Sequence, residues 1–463
     1  MDQRVPRQDE DTKVSQHLRH GSPPYARFYY TQVTCILTDW IRPIVALIAG
    51  IHEAPGRIMG HAGAFTIPGE PDAKIKIAAL EAAGVSIVNH PSRFGEALKA
   101  RLQGTPLAGD GLPSGNAPHV SAGGTQRRLM HTSARRVRHD AARAAFRAEQ
   151  RRNISLSDEK SMDLLRAHGT VNCGPYSGRG ERRYLALGID RSTRSPCIIA
   201  APAIDGDGGG FASATRRFPF DYRRGVDELV VERVAAHLGF SSKTATVDSL
   251  RRVLRALSDI FYGKEAYLVE THLVERLGEV KVVGAHFGFD DAAFRSGGRQ
   301  GDVQALREVA REDAAELEAE RSGIVYIKLA GDGAIGTLVN GAGLAMNTVD
   351  ALADAGGRAA NFLDTGGKAT SETVKHGFEV ILRDPRVRVI FVNIFGGLTL
   401  GDMIARGVIL AFQELSPRVP VVVRIRGTKE EEGQKLIADS GLPLYAFDDF
   451  DEAAAKAIEL SAL

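Results

Sequence analysis

Cysteine is scarce in this chain, with three thiols, Cys35, Cys173 and Cys197, among 463 residues. An odd number at such wide spacing builds neither a disulfide framework nor a zinc-ligand pattern, so buried or idle thiols in a reducing compartment are expected. Long apolar runs are also missing. The best, Ile41–Ile51, falls well short of the ~20 residues that a bilayer crossing takes, and it contains Arg42 and Pro43. It reads instead as a buried parallel strand ending at Gly50, and no membrane association is expected. No secretory signal follows Met1, where the sequence is polar and mixed in charge. The net charge is only +2, which points to neither nucleic acid nor an acidic partner.

What is present is the composition of a globular protein, 43% hydrophobic and 25% charged, with 50 glycines and length enough for two or three domains. Residues 1–35 read as irregular. Residues 36–104 carry a strand at Pro43–Ala49, a glycine-rich loop, a helix at Asp72–Ala83, a strand at Val85–Val88 and a helix at Arg93–Leu102. That is too few β/α units to bury both faces of a parallel sheet. Residues 105–150 are a linker rich in Pro, Gly, Ser and Arg that is expected to lack a packed core. Within it, Val120–His139 holds arginines and hydroxyl residues without an acid, the chemistry of a mitochondrial presequence.

Residues 151–322 mix hairpins with helices. Hairpins are expected at Tyr184–Asp190 with Cys197–Ala201 and at Ala266–Glu270 with Val280–Val283. Helices are expected at Val226–Leu238, Val247–Phe261 and Asp302–Glu320. From 323 to 463 strands and helices alternate without a gap. The strands are Ile324–Ile327, Ile335–Val339, Asn361–Leu363, Val387–Val392, Val419–Val423 and Leu444–Ala446. This pattern predicts an α/β fold with a doubly wound parallel sheet of the flavodoxin-like kind, with ligands at the carboxyl ends of its strands. Four strand-to-helix turns there are rich in small residues: Val339–Met346, Leu363–Thr370, Asn393–Thr399 and Arg424–Thr428. Glycine lets backbone N–H groups approach an anion, and a helix N-terminus adds partial positive charge. Several such turns in register suggest a site for phosphate or carboxylate.

Leu338–Met346, Asn361–Thr370, Phe391–Gly397 and Ser440–Leu442 closely resemble succinate–CoA ligase β subunits. The resemblance implies that residues 323–463 are a CoA-ligase domain, with Asn340, Gly397, Leu398 and Thr399 at the succinate-binding positions. Where the family has Arg-Cys-Asp, this chain has Leu400-Gly401-Asp402, so a cation near the anion site is missing. Arg151–Leu156 and Leu164–Gly169 resemble the start of the same subunit, an ATP-grasp domain. Here it is truncated, because the segment with the nucleotide-binding lysine and glycine-rich loop is absent, and no nucleotide-binding residue can be named. The family's Mg²⁺ ligands fall on His272 and Gly284, which supply no hard oxygen, so no metal ligand is assigned.

Pro43–Ile51, Pro55–Ala64 and Ala79–Val85 resemble the C-terminal end of the α subunit of the same enzyme. By that resemblance His61 is the phosphohistidine, on a loop that lies against the β subunit's C-terminal domain. The function implied is a succinate–CoA ligase of the tricarboxylic acid cycle, an acid–thiol ligase joining succinate and CoA at the expense of ATP or GTP with Mg²⁺. Its partner would be an α subunit in a heterodimer, and its location the mitochondrial matrix. Two other readings remain open. One is a non-catalytic assembly subunit, and the other is a relative of ATP-citrate lyase or of ADP-forming acyl-CoA ligases.

Overall fold

The computed structural model describes residues 43–53, 58–59, 67–68, 70–103, 154–168, 171–176, 181–202, 214–290, 294, 299–367 and 369–463. The segment 1–35, the linker 105–150, His61 and Cys35 lie outside the described residues. No helix among the described residues is long and apolar enough to cross a membrane.

The N-terminal block contains β1 (Val45–Ala46), α1 (Ala73–Ala82), β2 (Ser86–Ile87) and α2 (Phe94–Leu102). Asp72 caps α1 by accepting from the N–H of Ile75 at 2.8 Å. β1 and β2 form an isolated parallel pair. Nothing in α1 is buried, and α2 buries only Ala97.

The second region contains β3 (Ile154–Leu156), α3 (Asp158–Ala167), β4 (Arg183–Asp190), β5 (Ser195–Ala201), β6 (Arg216–Pro219), α4 (Glu228–His237), α5 (Thr244–Gly263), β7 (Ala266–Arg276) and β8 (Glu279–Phe289). Its six strands form an antiparallel sheet in the order β3-β8-β7-β4-β5-β6. Period-two alternation sends Leu185 and Leu187 of β4 to one face, where α3, α4 and α5 cover them. Tyr184 and Ala186 face the other way and, with Cys197, Ile199 and Ala201, form a small apolar patch covered by Ile67 of the N-terminal block. The hairpin expected at 266–283 is longer than its apolar cores suggested, because Leu277 and Gly278, both at positive φ, make a two-residue turn that lets pairing run on to Arg276 and Glu279.

The single helix expected over Asp302–Glu320 is instead two, α6 (Gly301–Ala305) and α7 (Ala314–Arg321), with a 3₁₀ turn at Val309–Arg311 between them. Asp313 starts the second helix by accepting from the N–H groups of Ala315 and Glu316. Arg307 folds back onto Glu312 at 2.6 Å and Glu320 at 2.7 Å. Local capping and this ion cluster outweigh the propensity for one continuous helix.

The C-terminal region contains β9 (Val325–Lys328), β10 (Ile335–Val339), α8 (Ala342–Asp354), β11 (Asn361–Asp364), α9 (Ser371–Leu382), β12 (Val389–Gly396), α10 (Gly401–Leu415), β13 (Val421–Gly427), α11 (Glu430–Asp439), β14 (Leu444–Phe447) and α12 (Phe450–Ser461). The strand order is β14-β13-β12-β10-β11-β9. Strands β10 to β14 are parallel and flavodoxin-like. The expectation of an all-parallel sheet is corrected at one edge, where β9 runs antiparallel to β11. The connection from Leu329 to Ala334 passes the end of β11 and is too short to recross the sheet, so β9 and β10 must run in opposite directions. Two cores flank the sheet. α9, α10 and α11 cover one face through Val374, Phe378, Ile404, Val408 and Ile437. α8 and α12 cover the other through Val349, Leu352, Phe450 and Ala457, joined there by Met59 of the N-terminal block. Burial on both faces explains the unbroken apolar run Val389–Val392.

Candidate functional site

β10 and β12 are neighbours, yet the helices that follow them, α8 and α10, leave toward opposite faces. This is the switch point of a doubly wound sheet, where a crevice opens at the carboxyl ends of the strands. Asn340 follows β10, and Gly396–Thr399 follow β12. The structure brings Asn340 and Thr399 into contact at this point. Asn340 is 8% exposed. Its Nδ2 donates to the Phe395 carbonyl at 3.0 Å and to Thr399 Oγ1 at 2.9 Å, and its Oδ1 accepts from the Phe395 N–H at 2.9 Å. Thr399 in turn donates to the Gly367 carbonyl at 3.1 Å. Both donor positions of the Asn340 amide are therefore committed to the turn. Asn340 and Thr399 shape the turn, and the exposed Leu398 and the backbone beside it face outward.

The turn is held from a second side. Gly396 has φ +144, a conformation that side chains rarely adopt, and a Cβ on Gly427 would come within 2.1 Å of the Gly396 carbonyl oxygen. The Thr428 N–H donates to the Gly396 carbonyl at 3.1 Å, and its Oγ1 donates to the Gly397 carbonyl at 3.0 Å. The glycine at 401 has its own reason. A Cβ there would meet the Lys429 carbonyl oxygen at 2.6 Å, so α10 starts where the turn after β13 crosses it. Lys429 lies 3.3 Å from Asp402 in the first turn of α10. At the neighbouring turn, Asp364 caps two backbone groups, accepting from the N–H of Gly341 at 2.5 Å and of Gly366 at 2.7 Å.

One feature of the neighbouring strands escaped the sequence reading. Arg424, 5% exposed, donates to Asn393 Oδ1 at 3.1 Å, and Asn393 donates to Thr348 Oγ1 at 2.9 Å. Burial, then the charge of Arg426, lowers the proton affinity of Arg424. The signal was available: Asn393 and Arg424 interrupt strands that are otherwise V/I-rich, at adjacent register positions.

The antiparallel sheet of the second region is organised differently. His272 and Gly284 stand opposite each other on β7 and β8. His272 packs edge-on against Tyr184, with ring centroids 6.0 Å apart. The nearby carboxylates have other partners: Glu270 accepts from the Tyr184 hydroxyl at 2.5 Å, and Asp158 accepts from the Ala285 N–H at 2.5 Å. Burial and the Glu270 charge raise the Tyr184 phenol well above its usual range. An imidazole opposite a glycine, with both neighbouring carboxylates engaged, does not fit Mg²⁺, which takes hard oxygen ligands in near-octahedral geometry. No group of three or more His, Cys, Asp or Glu among the described residues could hold a metal ion. Cys197 is buried and its thiol is pushed up to about 12, chiefly by desolvation; burial pushes the Cys173 thiol up to about 11.

The family model described as CoA-ligase matches residues 338–458. Over 288 residues the chain is 40% identical to succinate–CoA ligase (ADP-forming) subunit beta, mitochondrial, of Saccharomyces cerevisiae; the match covers 60% of this chain and 66% of the yeast subunit. It is 38% identical over 285 residues to succinate–CoA ligase (ADP-forming) subunit beta of Paraburkholderia phytofirmans, covering 60% of this chain and 72% of that one. Among solved structures, ATP citrate lyase from Methanothrix soehngenii superposes with a TM-score of 0.46 at 19% identity, over 62% of this chain and 74% of that one.

Proposed function

We propose, from the premise that the chain belongs to the succinate–CoA ligase β-subunit family, that it serves as the succinate-side subunit of an acid–thiol ligase. The reaction is succinate plus CoA plus a nucleoside triphosphate giving succinyl-CoA, the diphosphate and phosphate. The observation that carries the reading is the braced turn Gly396–Thr399 at the switch point, inside the segment that the CoA-ligase model matches. In this reading the turn holds a succinate carboxylate against backbone N–H groups, while Asn340 and Thr399 fix the shape of the turn. CoA is the acceptor of the acyl group. An α subunit is the partner, and His61 is the phosphate carrier between the two halves. Met59 and Ile67, each 1% exposed, are seated on different sheets. The organelle in the yeast relative's name supports a mitochondrial location, and the matrix is part of the proposal.

His272 and Gly284 offer Mg²⁺ no hard oxygen, which weakens the nucleotide half of the reaction. That observation favours a second reading, a non-catalytic assembly subunit. Turnover separates the two. The chain, mixed with a complete α subunit, succinate, CoA and Mg-ATP, should form succinyl-CoA, and Thr399→Ala should lower the rate. A mixture that assembles but gives no product with any nucleotide would support the assembly reading and sink the enzymatic one.

A further inference from the structure

Gly50–His52, Asn89, His90 and Arg93 lie against the α8–α12 layer, and the contact has a polar centre. Asp350 in α8 is 4% exposed. Its Oδ2 accepts from the N–H groups of Gly50 at 2.7 Å and Ile51 at 3.1 Å. Its Oδ1 accepts from the His52 N–H at 2.8 Å and lies 3.1 Å from His52 Nδ1. Gly50, at φ +97, turns successive N–H groups toward one carboxylate. One turn earlier in α8, Asn347 donates to the Asn89 carbonyl at 2.6 Å. His90 stacks on Phe450 of α12 with centroids 3.8 Å apart, and Arg93 reaches Asp451 at 2.8 Å. Two separate stretches of the block thus engage both helices of the layer.

The block cannot supply this order alone. A two-stranded parallel pair with helices that bury one alanine has no core of its own. In sequence the block resembles the end of an α subunit. A face that fits such an end within the chain also fits it on a separate chain. We propose that the N-terminal block is an intramolecular occupant of this chain's α-subunit docking face, held there by Asp350. A separate α subunit gains the face only in the fraction of molecules whose block has lifted. The proposal rests on the reading of the chain as a β-type subunit. Occupancy weakens the partner's apparent affinity by the free fraction, so a block docked ~99% of the time costs about 100-fold.

The test uses the full chain, wild type and Gly50→Val, with a purified succinate–CoA ligase α subunit; the substitution strains the block at φ +97 and leaves every residue of the face unchanged. Two quantities are measured: α-subunit binding and amide exchange at Ile51 and His52. Gly50→Val is expected to exchange faster at Ile51 and His52, to keep wild-type exchange in β10 and β12, and to bind the α subunit at least about tenfold tighter, because Asp350 stays on the face for the partner. Should Gly50→Val misfold, Arg93→Ala, which removes the ion pair to Asp451 from the block's side, carries the same comparison with a smaller ratio. Equal binding with faster exchange overturns the proposal and leaves the subunit reading standing. Unchanged exchange at Ile51 and His52 overturns the anchoring of the block through these amides. Faster exchange with no α-subunit binding by either protein overturns the subunit reading, and the proposal falls with it.

Discussion

Asn340 meets both edges of the Phe395 peptide, accepting from its N–H and donating to its carbonyl. Removing the amide leaves those groups short of partners in a largely buried place. Asn340→Ala is therefore expected to cost about 2–4 kcal/mol, read as a lower urea midpoint. An unchanged midpoint would show that the turn holds itself. His90 offers a second handle. It is 2% exposed, and burial, then Arg424 and Arg93, hold its imidazole down at about 4, against 6.5 for a free imidazole; Asp449 opposes weakly. The sign follows from the lowered value. Between pH 6.5 and 4 the undocked block binds a proton that the docked one refuses, so docking weakens as pH falls through that window and is constant above it. The loss approaches about 3 kcal/mol at the acid end. Amide exchange in residues 86–102 should accelerate from pH 6.5 toward 4 beyond its intrinsic trend, and His90→Phe should remove that excess.

The turn after β12 is an element built against another element. A Cβ on Gly427 would strike Gly396, whereas one on Gly397 would meet nothing within 4 Å. The two glycines should separate stability from function. Gly427→Ala is expected to lower the melting temperature by several degrees, the effect of about 1–3 kcal/mol of backbone strain and displacement. Gly397→Ala should melt like wild type and, if the turn holds succinate, raise the KM for succinate. A Gly397→Ala protein with unchanged succinate dependence would remove the turn from the binding site. The helices and strands of this region were largely readable from sequence, because two-sided burial writes V/I-rich strands and amphipathic helices. The antiparallel β9 was not, since a four-residue apolar strand carries no mark of its direction. The break between α6 and α7 was also hidden, because it depends on where Arg307 finds Glu320 in space.

Across the whole molecule the two halves are unequally equipped. The C-terminal region has a braced turn at a switch point. The antiparallel sheet, the nucleotide half in the proposed function, has His272 facing Gly284, and Ile67 resting on its apolar patch. Losing about three charge-assisted contacts at ~1.5 kcal/mol each weakens binding roughly 1,000-fold or more. Calorimetry should therefore find Mg-ATP binding at millimolar strength or weaker, and a micromolar constant would reveal a different nucleotide site.

The residues alone determined the alternation of strands and helices in 323–463 and the small-residue turns at the strand ends. Each is local, since periodicity, glycine and side-chain chemistry are properties of a short stretch. The tertiary structure decided what those residues do to one another. Asn340 and Thr399 are 59 positions apart, and only the strand order makes them a brace. Asp350 and the N–H groups of Gly50–His52 are about 300 positions apart, and no pattern in the chain announces that one carboxylate gathers three amides. Such pairings follow from which faces two separately formed elements must bury, and that is settled by packing in space.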